Sequence, residues 1–418
     1  MLSPVLARED MEDLLALHVM GPDRPGITST LAALFRDEGA RVVDLGQTVL
    51  HGHLSLTVVL SVPKGSDCLR RALVQVHEMG LRLEVSVHGP RDGAVPDPAA
   101  CALCVTMLGD LGDGRALAEA TGFLADRGFN IREIRTLSRD RLAGVELLVD
   151  LPQGTRWTAA EMRALRGEIL AKANALGADM AVQRDGPFRR NKRLICLDVD
   201  STFIQMEVID ELARMAGVGD QVARVTEAAM RGEMDFRAAL RQRVALLKGL
   251  PFEQARRLLD DVPLTPGADR LVAVLKALGL RIGLVSGGFT FFVEELKRRF
   301  GLDFAFANTL EVEDGVLTGQ VKGLIVDADR KAQVVADMAQ VYGCSLEQCV
   351  AVGDGANDMG MLRLAGLGIA FRARPVLQQA ADLSLNTSSL DGVLYLMGFT
   401  ERDLQAILGD RPEGCPGA

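Results

Sequence analysis

Histidine and aromatic side chains are scarce in this sequence, and their placement excludes much. In 418 residues there are one Trp, two Tyr and five His. All five histidines (His18, His51, His53, His77, His88) fall in the first 88 positions. Whatever chemistry the rest of the chain performs, it uses neither a His base nor a His metal ligand. No Lys follows a Gly, which excludes the GxxxxGK[ST] nucleotide loop. No Cys has an Arg six positions on, so a cysteine-phosphatase loop is also missing. No run approaches the ~18 apolar residues of a membrane span. The start, MLSPVLAREDMED, reaches charged residues by position 8, and a secretory leader is not expected. The seven cysteines (Cys68, Cys101, Cys104, Cys196, Cys344, Cys349, Cys415) are odd in number and scattered. They suit free thiols in a reducing, cytoplasmic compartment.

What is present reads as folded protein: 48% hydrophobic and 25% charged residues, in a length that implies two or three domains. A net charge of −9 argues against nucleic acid as the main partner, because phosphate binding draws on clustered Lys and Arg. The one dense basic patch, Arg189-Arg190-Asn191-Lys192-Arg193, reads as a solvated linker. His51-Gly52-His53 reads as a solvated strand face. Cys101-x-x-Cys104 lies in the apolar run CALCVTML and reads as core.

The first half repeats itself. LLALHVMGPDRPGITSTLAALFRDEGARVVDLGQTV gives strand, Gly/Pro turn, amphipathic helix and strand, and CALCVTMLGDLGDGRALAEATGFLADRGFNIREIRTLS gives the same order. Gly21 pairs with Gly109, Phe35 with Phe123, Gly39 with Gly128. A strand, helix and strand complete each copy, so each is βαββαβ, the ferredoxin-like arrangement, at 12–90 and 101–185. GPRDGAVPDPAA reads as the linker between them. From Leu194 the pattern changes to alternating strands and helices, an α/β pattern with a Rossmann-like parallel sheet. Its strands are RLICL, RIGLVS, CVAVG, LGIAF and DLSL, over about 194–400. A helical insertion, Glu207 to Val262, is too long for a crossover and reads as a small cap, about 205–263.

Ligands of open parallel sheets bind beyond the carboxyl ends of the strands. After RLICL come Asp198, Asp200, Ser201 and Thr202. After RIGLV come Ser286 and Gly287. After CVAVG come Asp354, Asn357 and Asp358, and Lys331 starts the helix leading into that strand. Four acids on one rim repel unless a cation binds among them, and hard oxygen ligands favour Mg²⁺.

DVDST, SGGF, the isolated Lys331 and GDGAND resemble the four motifs of the haloacid dehalogenase-like phosphohydrolases. The cap segments MEVIDELA and MRGEMDFRAALRQRV resemble the phosphoserine phosphatase branch of that family. The resemblance implies an aspartyl-phosphate mechanism in the hydrolysis of O-phosphoserine, the last step of serine biosynthesis. It makes Asp198 the nucleophile and Asp200 the acid and base. Mg²⁺ is then held by Asp198, the Asp200 main-chain carbonyl and Asp354. Ser286, Gly287 and Lys331 bind phosphate, while Asn357, Asp358 and Thr202 act around them. Glu207 takes the ammonium and Arg243 the carboxylate of the substrate, with Met230 and Phe236 lining the pocket. The repeats resemble ACT domains, which bind amino acids. That likeness implies a homodimer and a serine effector near Gly21, Asp23 and Gly109, where turns meet helix N-termini.

Three other readings stay open on sequence: a phosphatase for another small phosphomonoester such as phosphohomoserine or phosphothreonine, a non-catalytic amino-acid sensor, and phosphotransfer to an acceptor other than water.

Overall fold

The computed structural model describes residues 13–88, 102–139, 143–151, 158–373, 377–378, 381 and 383–409. The linker 89–100, Cys101 and Cys415 lie outside them. Two compact units result, Met1–Ala100 and Cys101–Ala418.

The first unit runs β1 (Asp13–Pro22), α1 (Ile27–Asp37), β2 (Arg41–Leu50), β3 (His53–Val62), α2 (Cys68–Glu78) and β4 (Arg82–His88). Its sheet order is β2-β3-β1-β4, the antiparallel arrangement the βαββαβ pattern requires. Period-two alternation decides which face carries the helices. Leu54, Leu56, Val58 and Leu60 of β3 are buried against Leu31 and Phe35 of α1 and Val76 of α2. His51 and Gly52 form the β2–β3 turn and are not strand residues; both are exposed, as is His53.

The second unit opens with the other repeat: β5 (Ala102–Leu108), α3 (Arg115–Ala125), β6 (Asn130–Ser138), β7 (Gly144–Asp150), α4 (Ala159–Leu176) and β8 (Asp179–Arg184), in sheet order β6-β7-β5-β8. Cys104 is fully buried, and burial pushes its thiol up to about 12. Here the sheet face away from α3 and α4 is also covered. Leu108, Leu137 and Ala181 join the same apolar cluster as residues of the C-terminal body. Gln183 Nε2 donates to Leu396 O at 2.9 Å.

The basic segment corrects the sequence reading. Part of it forms a short helix, α5 (Pro187–Arg190), and Arg189 and Lys192 are buried, 6% and 7% exposed. Arg189 donates to Glu146 of β7 at 2.5 Å, and Lys192 Nζ to Glu347 O at 2.7 Å. Partners far along the chain turn a charge run into a seam.

The body then follows: β9 (Leu194–Leu197); the cap helices α6 (Val208–Met215), α7 (Gly219–Met230), α8 (Phe236–Leu246) and α9 (Phe252–Arg256); α10 (Ala268–Ala277), β10 (Arg281–Phe289) and α11 (Thr290–Phe300). Next are β11 (Phe304–Glu313), β12 (Val316–Lys322), α12 (Ala328–Val341), β13 (Cys349–Gly353), α13 (Met359–Leu364), β14 (Leu367–Phe371) and β15 (Leu383–Leu385). The sheet order β12-β11-β10-β9-β13-β14-β15 is parallel except for the β11–β12 hairpin, which the sequence reading did not include. Strand order reverses at β9, with β10 on one side and β13 on the other, and a ligand crevice forms at such a reversal. The two cap connections lie side by side: Gln205 N donates to Pro263 O at 2.7 Å, and Thr265 N to Phe203 O at 3.0 Å.

Candidate active site

Three strand ends meet at the crevice. Asp198 leaves β9 with its amide bound to Val352 O of β13 at 2.9 Å, so two neighbouring strands fix the start of the motif. The backbone then makes one wide turn over Val199–Phe203, with Ser201 in the left-handed region at φ 58. That conformation costs a non-glycine residue about 1–2 kcal/mol. The turn aims Asp198 and Asp200 differently. Asp198 Oδ1 accepts from Lys331 Nζ at 2.6 Å. Asp200 Oδ1 accepts from the amide of Val208, the first residue of α6, at 3.1 Å.

Lys331 has no exposed surface and bridges two carboxylates, Asp198 and Asp358, both at 2.6 Å. Burial alone would lower its pKa, but the two acids outweigh burial and hold it above the ordinary value. Helix α12 presents it. Asp327 caps that helix by accepting from Arg330 N at 3.0 Å, and it also pairs with Arg237 of cap helix α8 at 2.5 Å. The cap therefore touches the helix that carries the site's ammonium.

The acids crowd without enough cations. Burial, then the charges of Glu207 and Asp198, raise the Asp200 carboxyl well above the usual range. Asp354 is pushed up to about 8 by burial and by Asp198 and Asp358; Asp358 is pushed up to about 6 by burial and Asp198. Asp198, Asp354 and Asp358 offer oxygens all within 4.8 Å of one another. An all-carboxylate set with one ammonium beside it fits a hard divalent cation. The Asp200 carboxylate is not in that group, and Asp358 is. Thr202, fully buried, donates to Asp354 Oδ1 at 3.2 Å.

Ser286 on β10 is fully buried and accepts from Gly288 N at 2.8 Å; its Oγ lies 3.5 Å from Asp200 Oδ2. A Cβ on Gly288 would come 2.7 Å from Asp200 Oδ2, so glycine is what lets the strand pass the acid. A Cβ on Gly287 would stand 3.2 Å from the Phe236 ring, which places the cap's phenyl over that loop. Asn308 of β11 was not singled out from sequence. It is fully buried, donates to Gly287 O at 2.8 Å and accepts from Val326 N at 2.8 Å, tying the SGG loop to the strap before α12. An amide inside the apolar run FAFANTL was the available signal.

On the cap, Glu207 precedes α6 and accepts from Ser201 Oγ at 2.8 Å; burial raises its carboxyl. Arg243 of α8 bonds Ala239 O at 3.4 Å and Thr226 Oγ1 at 3.5 Å. Among the described residues no carboxylate lies within salt-bridge distance of it, so Glu207 and Arg243 do not form an ordinary cap ion pair. Met230 ends α7 at 56% exposed and is not enclosed as expected. Asn357 is half-buried, with Nδ2 3.7 Å from where a Gly287 Cβ would stand.

The turns of the repeats differ. In the first, α1 is preceded by Gly26 at φ 98 with no side-chain cap, Asp23 N donates to Gly52 O at 2.8 Å, and Gly21 packs on Leu81. In the second, α3 is likewise preceded by a left-handed glycine without a side-chain cap, Gly114 at φ 72, but the turn binds two amides of its own: Asp110 accepts from Gly112 N at 3.1 Å and Asp113 from Arg115 N at 2.9 Å. Gly109 there lies against Ala178, and Thr387 is also at hand.

Comparison with known proteins agrees with this geometry. Residues 192–366 match the haloacid dehalogenase-like hydrolase family, and 13–86 and 102–183 each match an ACT domain. The phosphoserine phosphatase of Streptomyces coelicolor is 42% identical over 405 residues, 95% of this chain and 97% of that protein. Phosphoserine phosphatase SerB2 of Mycobacterium tuberculosis is 40% identical over 93% of this chain and 94% of its own. Among solved structures, a haloacid dehalogenase-family hydrolase from Salmonella enterica serovar Typhi superposes with a TM-score of 0.62 at 30% identity, covering 71% of this chain and 98% of that one. With its acids, ammonium and glycine loop at a strand-order reversal under a helical cap, and with two ACT domains ahead of them, the chain belongs to the phosphoserine phosphatase family of haloacid dehalogenase-like hydrolases.

Proposed function

We propose that the chain hydrolyses O-phospho-L-serine to L-serine and phosphate, closing serine biosynthesis, with Mg²⁺ as its metal. The observation that carries the reading is the division of labour between two acids two residues apart. Asp198 pairs with an ammonium, while Asp200 accepts from the Val208 amide, and burial and neighbouring charge push its carboxyl above the usual range. Asp198 is the nucleophile, forming an aspartyl-phosphate and splitting hydrolysis into two easier steps. Asp200 gives its proton to the departing seryl oxygen, then takes one from the water that cleaves the intermediate. Ser286 accepts from Gly288 N at 2.8 Å and points its O–H at Asp200 Oδ2 across a long 3.5 Å, a weak bond it would exchange for one to a phosphoryl oxygen alongside the Gly287 amide and Lys331. Mg²⁺, with Asp198, Asp354 and the Asp200 carbonyl as ligands, would offset the repulsion between carboxylate and phosphate. Glu207 and the unpaired Arg243 select the amino-acid end, Arg by its bidentate fork, with Phe236 excluding water; Asn357 supports the phosphate loop.

Asp198→Asn should lower turnover by roughly four orders of magnitude or more; a variant near wild-type rate would sink the nucleophile assignment. Arg243→Ala should cut kcat/KM for phosphoserine about a hundredfold more than for a phosphomonoester without a carboxylate. Equal losses would make Arg243 structural, and a wild-type preference for phosphohomoserine or phosphothreonine would change the substrate.

We further propose that serine binds the first repeat and inhibits, which requires the inhibited state to bind it more tightly. The uncapped amides at Gly26 favour that turn, near Gly21 and Asp23, over the turn after Gly109, where Asp110 and Asp113 already bind two amides. The exposed edge strand β2, with Leu45 53% and Leu50 64% exposed, supports a homodimer. Among the described residues no helix is long and apolar enough to cross a membrane, and the free thiols of Cys68, Cys104, Cys196, Cys344 and Cys349 support a cytoplasmic site of action.

A further inference from the structure

Ser201 has no part in the roles above, yet it occupies the least comfortable backbone position of the site. At φ 58 it takes a conformation that glycine adopts without cost. The hydroxyl that glycine would lack is in use: Oγ donates to Glu207 Oε1 at 2.8 Å. Two further bonds close a ring around this contact. Ser201 N donates to Met206 O at 3.3 Å, and Asp200 Oδ1 accepts from Val208 N at 3.1 Å. The residues flanking Glu207 are thereby tied to the two residues that follow Asp198 and Val199. Among the described residues, Glu207 Oε2 accepts no hydrogen bond. Strain kept at one residue beside a site is a pointer to use, provided a contact accounts for it, and this contact does.

We propose that Ser201 is a specificity-positioning residue, whose hydroxyl holds one oxygen of Glu207 and leaves the other for the substrate's ammonium. The proposal rests on the reading of Glu207 as the ammonium partner. A free glutamate at the mouth of a cleft samples several rotamers, and each must be given up when the amine arrives. Anchoring Oε1 beforehand removes that loss, so the contribution is read on substrate binding and on amines alone.

Ser201→Gly isolates the hydroxyl, because glycine accepts the left-handed backbone and the fold is kept; thermal unfolding checks this. The substrates are phosphoserine and the phosphate ester of 3-hydroxypropanoate, which keeps the carboxylate and lacks the amine. The ratio of their kcat/KM values should fall about fivefold in Ser201→Gly, the scale of one hydrogen bond, with the change in KM for phosphoserine. In Glu207→Gln the ratio should fall further, and Ser201→Gly added to Glu207→Gln should change it no more, since the hydroxyl acts through the carboxylate. Ser201→Asn, which tolerates the same backbone and carries a donor, should recover part of the loss. A Ser201→Gly ratio equal to wild type, or a loss additive with Glu207→Gln, overturns the proposal while leaving the role of Glu207 intact. An unchanged ratio in Glu207→Gln overturns the ammonium reading, and the proposal with it.

Discussion

The two ACT repeats share a topology and use the same sheet face in opposite ways. Strand register gives the equivalences. His18 pairs across with Thr57 and Glu84 in the first repeat, and Thr106 with Glu146 and Ala181 in the second. By the same rule Arg82 corresponds to Asp179, and Ser86 to Gln183. In the first repeat these positions hold a small polar set: His18 bonds Thr57 Oγ1 at 3.0 Å and Ser86 Oγ at 3.2 Å, and Arg82 is exposed. In the second, Thr106, Glu146, Asp179 and Gln183 are all buried. Asp179, the first residue of edge strand β8, makes most of that face's bonds to the C-terminal body. Its carboxylate accepts from Asn386 N at 2.6 Å, Thr387 Oγ1 at 2.9 Å, Ser388 N at 2.8 Å and Ser388 Oγ at 2.6 Å. One loop of the phosphatase body closes around a carboxylate from the repeat. The lesson is that a repeated fold need not mean a repeated role: one copy has become part of the enzyme's body.

Deletion should break the comparison most visibly. A chain starting at Cys101 keeps the face covered, whereas one starting at Arg190 strips Leu108, Leu137 and Ala181 from the main core. The shorter chain should unfold more than ~10 °C lower or aggregate; equal melting of the two would refute the view that the second repeat is structural. Next in size, Asp179→Ala leaves a ring of buried donors without their acceptor and should cost about 3–5 kcal/mol. The equivalent Arg82→Ala should stay within ~0.5 kcal/mol, and urea unfolding of both variants measures the contrast.

The smallest effect is one of pH. Without metal, burial and the neighbouring acids push the Asp354 carboxyl up to about 8 from its ordinary 3.8. The stability this gives is complete below about 4 and is lost as pH rises towards 8. A divalent cation needs the ionised form, so its stabilisation grows over the same range. In calorimetry, the Mg²⁺-induced rise in melting temperature should be larger at pH 8 than at pH 6, in the transition of the second unit only. An equal rise at both pH values, or a rise in the first repeat's transition, would contradict this.

Most of the candidate site was legible because each strand of the crevice ends in its polar motif, so Asp198, Ser286 and Asp354, which the fold brings to one crevice, announce themselves locally. The repeats were legible from period-two and helical alternation. What was not legible depends on partners distant in sequence. Arg189 looked solvated because Glu146, which buries it, belongs to another element. Asn308 acts on a loop two elements away, and nothing near it in sequence says so. The β11–β12 hairpin lies at the sheet edge, where half-exposed alternation is weak. Ser201 looked like part of a motif, and only its backbone conformation shows that its hydroxyl is engaged.

Lys331 and Asp198 bond across 133 positions, and Thr202 and Asp354 across 152. During synthesis, a ribosome that has released the two repeats and the cap has therefore delivered Asp198 without Lys331 or Asp354. Contacts of such separation form late, after the entropy of closing the loop has been met. The emerging chain thus holds a complete first repeat long before the three strand ends of the crevice can meet, so termination before β13 yields proteins that lack Asp354 and also the Asn386–Ser388 loop that closes around Asp179 of the second repeat.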